Sequence, residues 1–240
     1  MAAGRCAIAV MAKAPRPGLS KTRLVPPLDP AGAAALSAAF LRDITENIAD
    51  AGLVGCVAYA PAGEAVLFDG VLARGTTLLL ADGSPPMPPR VHGFGRSLLH
   101  ALQAALADHA SACLLNSDSP TLPTALLRRA ADVLAAPGDR VVLGPADDGG
   151  YYLIGAGTAH AHLFEDIDWS TDRVAEQTRD RTRALGLELV ELPSWYDVDD
   201  RASLSRLLAN LEVPPGGALT PYPAPATMAC VRRLGLAAHA

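Results

Sequence analysis

Four cationic side chains crowd one short loop near the start of the chain. The segment AKAPRPGLSKTRL carries Lys13, Arg16, Lys21 and Arg23 within eleven residues, directly after an apolar, strand-like run. Loop amides and cations at the carboxyl end of a strand suit a polyphosphate ligand. The spacing matches neither G-x-x-x-x-G-K-[ST] nor G-x-G-x-x-G. We predict that this loop binds phosphates, and the alternative is a solvated basic loop.

A single aspartate ends a second apolar run, LLNSDSP, which contains Asp118 and Pro120. A carboxylate at the carboxyl end of a strand is well placed to bind a hard cation such as Mg²⁺ or Mn²⁺. The alternative is that Asp118 caps a helix that begins after Pro120.

A pair of alternate carboxylates lies in the late segment WYDVDD, at Asp197 and Asp199. In an extended segment both side chains point to the same side and can share one metal ion. The next residue, Asp200, is placed to cap the helix that follows, and capping is also the alternative for the whole segment.

Two acids and two glycines follow a third apolar run, in LGPADDGGYYLIG. Asp147 and Asp148 could bind a metal, accept a hydrogen bond from a sugar hydroxyl, or only build a turn, and the turn is favoured for this segment alone. Gly149 and Gly150 permit a close backbone approach to a ligand.

A weaker signal is the glycine-rich turn at Gly93 and Gly95, in GFGRSLLHAL, which leads into a helical pattern. The free amides of a helix start can receive a phosphate or the edge of a base. A flexible loop before a helix, without a ligand, explains the pattern equally well.

Composition limits the class of protein. The chain has 240 residues, half of them hydrophobic, which suits one α/β domain. A net charge of −5 implies no general affinity for nucleic acid or anionic membranes. The apolar run Cys6–Met11 is too short for a secretory or membrane segment. The four cysteines lack metal-site spacing and three lie in apolar runs, so we expect reduced thiols and a cytoplasmic location. The oligomeric state stays open.

Strand-like runs alternate with longer helical stretches, which is typical of βαβ units on a mainly parallel sheet. Strands are predicted at Cys6–Met11, Leu53–Tyr59, Thr77–Leu80, Ala112–Leu115, Arg140–Leu143, Tyr151–Ile154 and Leu187–Glu191. Helices are predicted at Ala31–Ala51, Gly95–His109, Pro123–Ala135, Thr171–Leu185, Arg201–Asn210 and Ala226–Leu234. Proline and glycine cluster in two surface loops, from Asp82 to Gly95 and from Val213 to Pro225.

The chain resembles the bacterial family DUF2064 over Ala7–Leu208. Five segments carry the resemblance, in this order: AKAPRPGLSKTRL, NSDSP, GPADDGGYYLIG, the DWST of Asp168–Thr171 and WYDVDD. That family is similar to the nucleotide-diphospho-sugar transferases of the GT-A fold. The resemblance implies one domain over residues 1–240, a GT-A-like (Rossmann-like) three-layer α/β sandwich with a mainly parallel mixed sheet. The strict G-x-G-x-R spacing of better-known nucleotidylyltransferases is missing from the first loop.

The resemblance also implies roles for particular residues. Nucleotide phosphates would contact Lys13, Arg16, Lys21, Thr22, Arg23, Gly93 and Gly95, and catalysis would depend on Lys21, Arg23 and Asp118. Asp197 and Asp199 would complete a Mg²⁺ or Mn²⁺ site with Asp118. The acceptor would contact Asp147, Asp148, Gly149, Gly150 and Tyr151.

Three functions remain open. The first is nucleotidyl transfer, in which a small phosphorylated or phosphonate acceptor attacks the α-phosphorus of a nucleoside triphosphate and pyrophosphate leaves. The dense basic loop favours it, because four cations suit three donor phosphates better than two. The second is a glycosyltransferase with a nucleotide-sugar donor, in which Asp147 or Asp148 would act as the base. The third is a non-catalytic nucleotide-binding module.

Overall fold

One seven-stranded sheet runs through the computed structural model, which describes residues 6–213 and 216–236. Its order is β3-β2-β1-β4-β6-β5-β7. The strands are β1 (Cys6–Ala12), β2 (Val54–Tyr59), β3 (Thr77–Leu80), β4 (Ser111–Asn116), β5 (Arg140–Pro145), β6 (Tyr151–Ala156) and β7 (Glu188–Glu191). Only β6 is antiparallel to its neighbours, β4 and β5. The predicted mainly parallel mixed sheet is confirmed.

Helices cover both faces of the sheet, which gives the predicted three layers. They are α1 (Pro30–Asp50), α2 (Phe94–Leu106), α3 (Thr124–Ala135), α4 (Val174–Ala184), α5 (Arg201–Glu212) and α6 (Pro225–Arg233). Side chains of α1, α3, α5 and α6 share one core, and those of α2 and α4 share the other. Short 3-10 helices at Thr22–Leu24, Ala65–Phe68 and Ala161–Phe164 were not predicted.

The central strand β1 shows why its apolar run forms a buried strand. Ile8 and Val10 belong to the core under α1, whereas Ala7 and Ala9 belong to the core under α2. Successive side chains of a strand point to opposite faces, so a strand covered on both sides needs apolar residues at every position.

Two helix starts are fixed by aspartate caps. The Asp29 carboxylate accepts a hydrogen bond of 2.6 Å from the Gly32 amide at the start of α1. At the start of α5, Asp200 and Ser203 form a capping box, which confirms the capping role predicted for Asp200. A cap of this kind typically contributes about 1 kcal/mol to stability.

Some predicted boundaries shift. The helix predicted from Thr171 begins at Val174, because the Thr171 hydroxyl donates to the Asp168 carbonyl and holds this stretch as a turn. The helix predicted to reach His109 ends at Leu106. The predicted loop from Val213 to Pro225 includes residues 214 and 215, which lie outside the described residues.

The described cysteines are free thiols: three are buried and Cys56 is half-buried, as predicted for core residues. Within residues 6–213 and 216–236, no helix is both long and apolar enough to cross a membrane. The cytoplasmic location stays a prediction.

Candidate functional site

A cavity of about 680 Å³ opens at the carboxyl ends of the central strands. The ends of β1 and β2, the basic loop after β1 and the Ser117–Asp118 turn after β4 line it. The start of β6 also reaches it, because β6 runs antiparallel and begins at this edge. The volume is that of a small-molecule site, and its position is the usual one for ligands of open α/β sheets.

At the cavity wall, Lys21 bridges two of the predicted site carboxylates. Its Nζ lies 2.7 Å from Asp118 Oδ1 and 2.8 Å from Asp199 Oδ1. It also donates to the Val198 carbonyl at 2.7 Å. The Lys21 side chain is only 8% exposed, and the residue has a left-handed φ of 49°. A non-glycine residue adopts this backbone at a cost, so the three contacts hold Lys21 in a demanding position.

Electrostatics keep this lysine charged. Burial alone would lower the pKa of Lys21, but the charges of Asp118 and Asp199 outweigh that effect and the pKa is raised. The ammonium form is therefore present throughout the neutral pH range.

Backbone and hydroxyl contacts bring the two carboxylates together. The Val198 amide donates to the Asp118 carbonyl at 2.9 Å, and the Ser119 hydroxyl donates to the Tyr196 carbonyl at 2.9 Å. These bonds tie the turn after β4 to the segment before α5. The capping alternative for Asp118 is excluded, because α3 begins at Thr124 with Pro123 at its cap position.

The predicted three-carboxylate metal site is not formed as predicted. Asp197 does not line the cavity, and no cluster of three or more His, Cys, Asp or Glu within the described residues could hold a metal ion. Burial, together with the charges of Asp148 and Asp199, raises the pKa of Asp197 to about 6. Asp197 thus lies in a surplus of negative charge.

Asp118 and Asp199 still fit a metal that arrives with a phosphate ligand. Among the described residues, neither Asp118 Oδ2 nor Asp199 Oδ2 has a hydrogen-bond donor, and both side chains are partly exposed at the cavity. Mg²⁺ is often bound by one or two carboxylates together with substrate phosphates and water. The chemistry of this donor set therefore suits a shared site rather than a cage made by protein alone.

Some cations of the basic loop line the cavity and one lies outside it. Lys13, Thr22 and Arg23 line the cavity, and within the described part of the chain neither Lys13 nor Arg23 has an ion-pair partner. Arg16 instead pairs with Glu64 at 2.9 Å and does not line the cavity. The structure thus places three of the four predicted cations at the cavity and Arg16 outside it.

This division predicts different outcomes for two arginines of one loop. Arg23→Ala should cost on the order of 1.5–3 kcal/mol of nucleotide affinity, since it removes a charge-assisted bond to phosphate. Arg16→Ala, the matched control, should leave that affinity unchanged, because Arg16 pairs with Glu64 and does not line the cavity. Calorimetric titration of both variants measures the difference, and equal losses would contradict the division.

The predicted acceptor segment is also divided. Asp148, Gly150 and Tyr151 line the cavity, as an acceptor role requires. Asp147 turns away and forms an ion pair with Arg206 at 2.7 Å. At Gly149, φ is +89° and a Cβ would clash with the backbone of Asp172. Gly149 therefore permits a close approach of protein backbone, not of a ligand.

The predicted phosphate contact at Gly95 is corrected. Its amide donates to the His92 carbonyl at 3.1 Å, and a Cβ there would lie 2.9 Å from the Trp169 ring. Gly95 makes room for the indole. Gly93 has a positive φ of 54° and does not line the cavity, although Phe94 between the two glycines does.

Sequence reasoning missed an aromatic wall of the cavity. The rings of Phe94 and Trp169 meet edge to face with centroids 5.8 Å apart, and Phe94 is 50% exposed. Asp172 also lines the cavity. Two features of the sequence indicate this wall: the DWST motif, which contains Trp169, and the aromatic residue Phe94 between two glycines.

Comparison with known proteins gives a consistent picture. The model of the family described as "Uncharacterized protein conserved in bacteria (DUF2064)" matches residues 37–171, more than half of the chain. No curated protein matches the sequence significantly. A crystal structure from Desulfovibrio desulfuricans G20, provisionally described as a nucleotide-diphospho-sugar transferase, is similar at 28% identity and a TM-score of 0.80. The alignment covers 96% of this chain and 95% of that one.

More distant structures share the fold. CMP:2-keto-3-deoxy-manno-octonic acid synthetase complexed with CTP aligns at 12% identity and a TM-score of 0.54, over 87% of this chain and 98% of the other. A nucleotidyl transferase from Methanothermobacter thermautotroptrophicus aligns at 19% identity and a TM-score of 0.50, over 85% and 96%. The predicted GT-A-like architecture is confirmed.

Proposed function

The chain belongs to the DUF2064 family, and we propose that it is a metal-dependent nucleotidyltransferase. Its donor would be a nucleoside triphosphate, and its acceptor a small phosphorylated or phosphonate compound. One observation carries the proposal: Lys21 bridges Asp118 and Asp199 in a cavity that also contains Lys13 and Arg23, two cations that have no ion-pair partner among the described residues. The similar transferase structures support a nucleotide-using enzyme.

The chemistry needs alignment and charge neutralisation more than a reactive side chain. An oxygen of the acceptor phosphate forms a bond to the α-phosphorus, the bond to the bridging oxygen of the β-phosphate breaks, and pyrophosphate leaves. The acceptor oxygen is already anionic at pH 7, so no base is required. Lys13 and Arg23 would bind the departing phosphates, and Lys21 would stabilise charge nearer to the α-phosphate. A Mg²⁺ or Mn²⁺ held by Asp118 and Asp199 would supply further charge neutralisation when bound.

Glycosyl transfer is the second candidate, and two observations favour it. With Arg16 outside the cavity, Lys13 and Arg23, which lack an ion-pair partner within residues 6–213 and 216–236, match the charge of a diphosphate donor better than four cations would. On the acceptor side, Asp148 and Asp172 line the cavity without an ion-pair partner in the described residues. Carboxylates of this kind accept hydrogen bonds from hydroxyl groups, and Asp148 could serve as the base.

A non-catalytic nucleotide-binding module is the least supported function. A protein that only binds a nucleotide does not need carboxylates beside the phosphates, because carboxylates repel an anionic ligand unless a cation accompanies that ligand. Asp118 and Asp199 are held at the cavity nonetheless.

Product analysis separates the two enzymatic candidates. Incubation with each nucleoside triphosphate, Mg²⁺ and a broad pool of phosphorylated metabolites should release pyrophosphate, detected by a coupled assay with inorganic pyrophosphatase. The Asp118→Asn variant serves as the control for contaminating activity. Release of a nucleoside diphosphate from a sugar donor, without pyrophosphate from any triphosphate, would overturn nucleotidyl transfer and support the second candidate.

A further inference from the structure

We propose that Lys21 occupies the metal's place between Asp118 and Asp199 in the nucleotide-free protein, so that the metal binds only together with the nucleotide. The inference rests on the proposed function insofar as it assigns a metal and a nucleotide to this cavity. It adds a binding order, and it gives Lys21 a second role before the donor arrives.

The first step is the saturation of the ammonium group. Nζ of Lys21 has two carboxylate partners at 2.7 and 2.8 Å and the Val198 carbonyl at 2.7 Å. A lysine ammonium has three N–H donors and no acceptor. Hydrogen bonds to Val198 and Asp199 and the ion pair with Asp118 thus surround the nitrogen inside the protein, and little of its charge is open to a phosphate unless it leaves a partner.

The second step is the charge at this position. Two carboxylates and one ammonium leave a net charge of −1, in a place where the lysine side chain is 8% exposed. A divalent cation that joined them with Lys21 still in place would lie close to a positive charge with little water to screen it. A metal ion alone thus competes with Lys21 for the same two carboxylate groups.

The third step is the effect of a nucleotide. Its phosphates offer Lys21 new anionic acceptors, which replace the bonds that it loses when it leaves the carboxylates. The long, flexible stem of lysine allows its nitrogen to move without a change in the backbone. Metal and lysine then exchange places: the carboxylates bind the cation, and Lys21 binds phosphate.

Titration with Mn²⁺ alone tests this order without any turnover, by following the electron paramagnetic resonance signal of the free ion. Wild-type protein should show no saturable binding up to 1 mM Mn²⁺. Lys21→Met, which keeps most of the length of the side chain without its charge, should gain a saturable site with a dissociation constant at least tenfold below that limit. Lys13→Met is the matched control, because it removes the same charge from the same loop but frees no carboxylate, and it should gain none.

Two results would overturn the proposal: wild-type protein that binds Mn²⁺ as tightly as Lys21→Met, or a folded Lys21→Met that gains no site. Lys21→Gln is the second variant if Lys21→Met does not fold, and the wild-type titration is informative by itself. The outcome is separable from the function. If Lys21→Met gains Mn²⁺ binding but the wild-type protein releases no pyrophosphate, the exchange of Lys21 for the metal is supported and nucleotidyl transfer is contradicted.

Discussion

Lys21→Met should lower kcat by roughly 100- to 1000-fold, the usual effect of removing one preorganised group that stabilises charge in the transition state. The physical reason is the position of the ammonium. In the nucleotide-free protein it is enclosed at 8% exposure beside Asp118 and Asp199, so water replaces it poorly when it moves from these carboxylates to the phosphates. Steady-state kinetics with the donor that turns over measure the change.

Lys21→Arg tests whether the positive charge alone is sufficient. The charge is retained, but a planar guanidinium does not reproduce three contacts to one nitrogen in an enclosed space, so most of the loss should remain. A Lys21→Met enzyme with wild-type kcat and a raised KM would show that Lys21 only binds the ground state of the donor. That result would remove it from the catalytic residues.

The sheet and most helices were predictable because their signals are local. In β1, the unbroken apolar run predicted a strand, and both cores contain its side chains. Asp200 was predictable as a helix cap because capping depends on residues three positions apart. The start of α4 was not, since the turn formed by Thr171 and Asp168 competes with the helical pattern.

The carboxyl edge of the sheet was predictable as the place of the site, but its contacts were not. Lys21 and Asp199 are 178 positions apart in the sequence, and only the folded chain shows that they form an ion pair. The same reason explains the two misplaced charges. Arg16 and Asp147 have partners in Glu64 and Arg206, and no local pattern identifies a partner so distant in sequence.

The glycines illustrate a different limit. A phosphate contact was predicted at Gly95 and the close approach of a ligand at Gly149, and both positions have a close neighbour. The neighbour is Trp169 in one case and the Asp172 backbone in the other, not a ligand. A glycine indicates that space is needed, but composition does not say what fills it.

Asp118→Asn should abolish detectable turnover and metal-dependent nucleotide binding while the fold survives. The substitution removes one of the two carboxylates that suit a cation, and a neutral amide oxygen is a much weaker partner for a divalent ion. Folding should be nearly unaffected for two reasons. The bond to the Val198 amide uses the main-chain carbonyl of Asp118, and Lys21 keeps Asp199 as a charged partner.

The measurement pairs two assays with one control. Calorimetry with and without Mg²⁺ measures the nucleotide affinity, which should no longer depend on the metal in Asp118→Asn. The melting temperature should shift by no more than a few degrees, as expected for a change of about 1 kcal/mol in the free energy of unfolding. Asp132→Asn removes the same charge from an exposed position on α3 and should match the wild type in both assays. Unchanged metal dependence in a folded Asp118→Asn would show that Asp118 does not bind the cation. The metal would then have to depend on Asp199 and the phosphates alone.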